Sequence, residues 1–191
     1  MNPQHLLCAQ LCAASYDAAD PRFVTVEELR FGVIHVGDTA YLVFRGTDNL
    51  QGWLDDFEVI PGETINGYTA HKGFIRAAEK LHDAVSERLT VTGRVVITGH
   101  SLGGALALLF AEDFRNDPVV TFGCPRVYSR LNESYPVMEH ARYANRGDPI
   151  ADIPDEILWR HLCEAIALGE EAFPERKNHD INLYISRLSQ G

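Results

Sequence analysis

The sequence predicts an α/β fold: a mostly parallel sheet covered by helices on both faces. Three observations carry this. Short, nearly all-apolar runs at 41–44, 95–98 and 119–122 are rich in β-branched and aromatic residues, as strands buried on both faces should be. Between them lie stretches of helical character, 72–89 and 105–110, so strand and helix alternate. At one junction, the run 95–98 passes through Gly99-His-Ser-Leu-Gly103 directly into the apolar helix former 105–110, a strand–turn–helix built around a single serine.

The elements follow in order. Residues 3–16 read as an amphipathic helix packed on the domain. Residues 23–26 and 29–36 read as strands, and Gly37-Asp38 turns the second of them into a strand at 40–44. Arg45-Gly-Thr-Asp48 breaks that strand. In 72–89, Phe74, Ala77, Ala78, Leu81, Val85 and Leu89 recur at helical spacing with charges between them, and Thr90-Val-Thr-Gly93 ends the helix. Asp117-Pro118 closes the helix after the serine, and 119–122 is the next strand before Gly123-Cys124-Pro125. A further strand is expected at 142–144, a mixed strand pattern at 159–168 and a closing helix at 181–188. The connection 53–71, with Pro61, Gly62, Asn66 and Gly67, reads as a loop.

With 191 residues, of which 46% are apolar and 23% charged, one domain spanning 1–191 with a single well-buried core is expected. The formal charge of −10 argues against nucleic acid and against docking on anionic membrane. No apolar run approaches the roughly 20 residues of a membrane span. The apolar stretch 6–14 has no Lys or Arg before it and is interrupted by Gln10, so it lacks the marks of an export signal. Cys8, Cys12, Cys124 and Cys163 show no metal-ligand spacing and read as reduced core residues, which makes the cytoplasm the default compartment.

The chemistry gathers on the serine. In Gly-x-Ser-x-Gly, the glycines leave room for a turn so sharp that neighbouring Cβ atoms would collide, and the helix that follows points its positive end at the serine. Ser101 is therefore the candidate nucleophile, and the Leu102 N–H a donor for a developing oxyanion. A serine needs a base, and the base an orienting carboxylate; on this architecture the order should be Ser, acid, His. Downstream stand His140, leading into a strand, His161, inside a strand-like segment, and His179, in a polar loop before the last helix. His179 is the favoured base. Asp148, in the loop beyond the strand at 142–144, is the favoured acid over Asp152 and Asp155, because it lies on the rim of the sheet that carries the serine.

At this point the residues match a family. The chain resembles the class 3, fungal-type triacylglycerol lipases, which are α/β-hydrolases. The resemblance rests on Val43-Phe-Arg-Gly-Thr47, Trp53 with Asp56, His71-Lys-Gly-Phe74, Thr98-Gly-His-Ser-Leu-Gly-Gly104, Thr121-Phe-Gly-Cys-Pro-Arg-Val127, Asn145-Arg-Gly-Asp-Pro149 and Asn178-His-Asp180 before Tyr184. It implies Ser101, Asp148 and His179 as catalytic triad, with Thr47 joining Leu102 in the oxyanion hole and no metal or cofactor. His71 and Arg126 also match, with structural duties implied for both. Leu50, Trp53, Leu54 and Phe57 fall at i, i+3, i+4 and i+7, an amphipathic helix where the family keeps its lid; it reads either as a short lid that meets substrate or as a helix docked permanently on the core. The expected activity is hydrolysis of acyl esters through an acyl-enzyme, with a lipid or smaller ester as substrate and a transient lipid interface as the other contact. The alternatives are a phospholipase A-type acyl hydrolase on membrane lipids, or a silent hydrolase-like interaction module.

Overall fold

A computed structural model describes residues 2–47, 60–90, 93–113 and 117–190. Helix α1, Pro3–Ala14, opens the chain with Asn2 as cap, its side chain accepting from the Gln4 N–H at 3.0 Å. Strands β1 (Phe23–Val26), β2 (Leu29–Val36) and β3 (Thr39–Phe44) form an antiparallel meander. A short hairpin follows, β4 (Pro61–Glu63) and β5 (Thr69–His71), leading into helix α2, Lys72–Arg88. Then come β6 (Arg94–His100), α3 (Leu102–Ala111), β7 (Val119–Phe122), β8 (Tyr128–Ser129), β9 (His140–Asn145), β10 (Trp159–Arg160), β11 (Ala165–Leu168) and α4 (Ile181–Gln190).

Seven strands form the central sheet in the order β1-β2-β3-β6-β7-β9-β11, parallel from β3 onward. This is the α/β-hydrolase type of sheet that the sequence predicts. Alternation along β3 explains its all-apolar run. Tyr41 and Val43 face one core, with Val96, Val120, Phe122, α1 and α4; Leu42 and Phe44 face the other, with Ile97, Leu106, α2 and α3. Phe44 stacks on Phe110 of α3 with ring centroids 4.8 Å apart.

The structure revises two sequence expectations. The connection 53–71 is not wholly a loop, because β4 and β5 occupy 61–63 and 69–71. The stretch 159–168 is two strands belonging to different sheets: β10 joins β8, β5 and β4 in a second, four-stranded sheet, while β11 closes the edge of the first. His71 caps α2, its Nδ1 accepting from the Gly73 N–H at 3.2 Å, and Arg126 donates to the Pro154 carbonyl at 2.9 Å; both serve structure. Leu50, Trp53, Leu54 and Phe57 lie outside the described residues.

Register brings the site together. Phe44 pairs with Gly99, Gly99 with Thr121, and Phe122 with Tyr143. The carboxyl ends of β3, β6, β7 and β9 therefore share one rim, where the chain continues as 45–47, Ser101, Gly123 and 146–148.

Candidate active site

Ser101 occupies a backbone conformation that L-residues rarely adopt, φ 60° and ψ −129°, and its N–H donates to the Phe122 carbonyl at 2.9 Å. The glycines around it are sterically required. A Cβ at Gly99 would stand 2.0 Å from the Gly103 oxygen, and one at Gly103 would stand 2.2 Å from the Phe44 oxygen. The second contact presses the end of β3 onto the start of α3. It brings Gly46 onto the elbow, where a Cβ would meet that of Ser101 at 2.8 Å. Thr47 thus follows directly on the residue that touches the serine, and Leu102 is the first residue of α3, where a helix leaves its N–H groups without intrahelical acceptors. Of the two sequence-predicted oxyanion donors, Leu102 is the chain neighbour of Ser101 and Thr47 the chain neighbour of Gly46.

Asp148 and His179 meet across 31 residues. The imidazole Nδ1 lies 2.8 Å from one carboxylate oxygen of Asp148 and 3.0 Å from the other. Asp148 also accepts from the Ile150 N–H at 2.9 Å and from the Tyr184 hydroxyl at 2.5 Å. The Tyr184 oxygen in turn accepts from the Asn145 N–H at 3.0 Å, so α4 and the end of β9 grip the acid together. A carboxylate held this way fixes Nδ1 as the protonated nitrogen and leaves the Nε2 lone pair as base. Ser101 Oγ and His179 Nε2 are both buried, and neither is hydrogen-bonded to any described residue.

The rival residues are occupied elsewhere. His140 Nε2 lies 2.9 Å from the Thr121 hydroxyl, and His161 Nε2 donates to the Ala151 carbonyl at 2.8 Å. Burial pushes these two histidines down to pKa values of about 4 and about 3. Asp152 has an exposed side chain, and Asp155 accepts the N–H groups of Ile157 and Leu158. Among the described residues no group of His, Cys, Asp and Glu could hold a metal. A cavity of about 500 Å³ lies elsewhere, between α2 and the far end of α3, and no residue of the elbow, acid or base lines it.

Three contributors escaped the sequence reading: Tyr184, His100 and Tyr16. His100 Nε2 lies 2.8 Å from the His179 carbonyl oxygen, and its Nδ1 lies 2.7 Å from the Tyr16 hydroxyl. The available signals were positions: His100 is the second residue of the Gly-x-Ser-x-Gly turn, and Tyr184 follows the Asn178-His-Asp180 segment.

Known proteins resemble this chain in sequence and in fold. The family model described as Lipase (class 3) matches residues 41–157, which include Thr47, Ser101, Leu102 and Asp148; His179 lies beyond the match. A lipase of Rhizopus niveus is 37% identical over 106 residues, 47% of this chain and 27% of that protein. A protein named secreted mono- and diacylglycerol lipase 1, from Fusarium solani, is 30% identical over 133 residues, 61% of this chain and 40% of that protein. The matched stretch thus spans less than half the length of either. The crystal structure of a lipase from Rhizopus microsporus var. chinensis superposes with a TM-score of 0.70 at 19% identity, over 88% of this chain and 75% of that one, and shows the shared fold.

The relative named as secreted overturns the expectation of a cytoplasmic protein. Unpaired cysteines were a poor guide to compartment for a physical reason. Cys8, Cys12 and Cys124 are buried, and burial pushes all three thiols up, Cys8 and Cys124 to about 12. Thiols so rarely ionised and so enclosed resist oxidation in any compartment.

Proposed function

The chain belongs to the class 3 lipases, and from that membership and the site geometry we propose that it hydrolyses carboxylic esters of acyl lipids or smaller alcohols through an acyl-enzyme. The carrying observation is the Asp148–His179 pair, with its free Nε2, on the same rim as a strained, buried Ser101. Ser101 Oγ attacks the acyl carbonyl while His179 Nε2 takes its proton. Asp148 holds the Nδ1–H and balances the imidazolium. The negative charge that grows on the carbonyl oxygen is met by the Leu102 N–H at the positive end of α3 and by Thr47. The proton on Nε2 then passes to the departing alcohol. Water, deprotonated by the same nitrogen, releases the acid and restores Ser101. Residues 1–191 act here as one catalytic domain, since both apolar cores share the seven-stranded sheet.

The test is labelling with a fluorophosphonate, with turnover of nitrophenyl esters, glycerides and phospholipids measured side by side. The name of the Fusarium solani relative puts glycerides first among the lipids, and a rise in turnover when the glyceride forms droplets would reveal a transient lipid interface. Ser101→Ala is expected to abolish labelling. Ser101→Ala, His179→Ala and Asp148→Asn should each lower turnover by roughly 10⁴-fold or more, and combining them should add little. Wild-type protein inert to the probe and to every ester would refute the reading.

A further inference from the structure

The loop that carries the base is held from behind by a second hydrogen-bonded chain, and its direction follows from chemistry. The His179 carbonyl oxygen can only accept, so His100 Nε2, 2.8 Å away, carries a proton. His100 is buried, and burial together with the adjacent His179 ring keeps its pKa well below the ordinary histidine value. A neutral imidazole protonated on Nε2 has a lone pair on Nδ1, so the Tyr16 hydroxyl, 2.7 Å away, is the donor there. The chain runs from the Tyr16 O–H to His100 Nδ1, and from the His100 Nε2–H to the His179 carbonyl.

Each link is anchored by packing. The His100 and His179 rings lie with centroids 4.5 Å apart and planes inclined by 32°. Tyr184, which donates to Asp148, meets the His100 ring edge-on at 6.0 Å. The Tyr16 hydroxyl presses on Gly46, where a Cβ would meet it at 2.4 Å, and the Arg45 guanidinium lies 5.0 Å from the centre of the Tyr16 ring. The same tyrosine therefore touches the segment that leads to Thr47.

We propose that Tyr16 and His100 are positioning residues: the tyrosine hydroxyl tethers the His100 ring at Nδ1, and His100 fixes the backbone of the base. The structure ties the turn after α1, the nucleophile's own neighbour and the base loop into one unit, and this rests on the assignment of His179 as base. Without that hydroxyl the buried Nδ1 lone pair loses its donor and the ring its tether. The ring can then turn, its Nε2–H leaves the carbonyl, and the loop gives way. The neutral form also matters during the reaction, because a charged ring 4.5 Å away would oppose formation of the His179 imidazolium.

The experiment uses the full chain with Tyr16→Phe, His100→Gln and His100→Leu. Three quantities are read: the rate constant for fluorophosphonate labelling of Ser101, kcat and KM on nitrophenyl butyrate, and the melting temperature. Tyr16→Phe, which removes one oxygen, is expected to lower labelling and kcat about tenfold, with KM within about twofold and melting shifted by a few degrees at most. His100→Leu should lose about a hundredfold, and His100→Gln, whose amide N–H can reach the same carbonyl, should recover most of that. Tyr16→Phe labelling and turning over like wild type would overturn the proposal. So would equal losses in the Gln and Leu variants. If His100→Leu does not fold, Tyr16→Phe decides. A wild-type Ser101 that never labels sinks the hydrolase reading and the positioning chain with it, whereas a reactive wild type with an indifferent Tyr16→Phe sinks the chain alone.

Discussion

Gly123 stands under the acid–base pair with no room for a side chain. Its φ is +56°, and a Cβ there would lie 2.7 Å from an Asp148 oxygen and 2.8 Å from His179 Nδ1. Gly123→Ala should therefore do two things at once: cost about 1–2 kcal/mol in backbone strain and separate Asp148 from His179. We expect kcat to fall about a hundredfold or more in the protein that still folds, read as turnover per labelled serine; an unchanged kcat would show that the pair tolerates displacement. Thr47→Val is the opposite kind of change, deleting an oxygen while keeping shape. If the hydroxyl supports the oxyanion, kcat should drop by about 10²–10³ with KM little altered. Near-normal kcat would leave the oxyanion to backbone donors alone. Tyr184→Phe removes the donor to Asp148 and strands the buried Asn145 N–H, so a loss of about 1–3 kcal/mol in chemical denaturation is expected, along with slower turnover.

The unit formed by β3, β6 and α3 works as one piece, because Gly103 lets the end of β3 lie against the start of α3. Gly103→Ala would force the Phe44 oxygen away from a Cβ placed 2.2 Å from it, and 45–47 would move with the strand. The expected outcome is loss of fluorophosphonate labelling even in the fraction that remains soluble and folded by circular dichroism. Labelling at the wild-type rate would show that β3 can retreat without disturbing the elbow. These larger elements were legible in the sequence because their signals are local. The β-branched run before Gly99, the helical spacing of Phe74 through Leu89 and the Asp117-Pro118 stop each act within a few residues. The second sheet was not legible. Its strands are two or three residues long and pair at a distance, Ala70 with Tyr128 and Trp159 with Ser129, so no period has room to show. The site divides in the same way. Ser101 announced itself through its glycines, and Asp148 and His179 through order along the chain. Tyr16, His100 and Tyr184 act through contacts that span 36 to 84 residues, which only the folded rim reveals.

Acid should weaken the fold through its buried and half-buried histidines. His71 is fully buried and held down to about 4, and His140 and His161 to about 4 and about 3. As the pH falls through 6.5 the unfolded chain takes up protons at these positions and the folded chain does not, so the stability present above 6.5 is lost progressively toward about 3. For His71 alone the loss is of the order of 3 kcal/mol. Glu112 acts with the opposite sign. Burial raises its pKa, so the folded form binds its proton more tightly and this group favours folding as the pH falls through its raised value. His5 and His100, also lowered by burial, act in the same direction as these three histidines, and against them the one raised carboxyl leaves a net acid sensitivity. Denaturation midpoints at pH 7.5, 6 and 5 should fall in that order. His71→Asn, which keeps an oxygen to cap α2, should flatten the slope, and midpoints independent of pH would show that these histidines titrate as in water.

The strand order of the central sheet has a consequence for how the chain is made. Among the described residues, β1, β2, β3, β6, β7, β9 and β11 lie side by side in the order of their synthesis, so a chain emerging from the ribosome can lengthen the sheet at one growing edge and never needs to open it. The contacts of Tyr16 with His100 and of β3 with α3 join segments already made. The segment after β11 is different. His179 and α4 follow every strand of the sheet, and α4 packs on the same face of the sheet as α1, beside Cys8 and Cys12. Until those residues dock, Asp148 has neither Tyr184 nor His179. Synthesis thus lays down the seven-stranded scaffold before it delivers α4 and the proposed base.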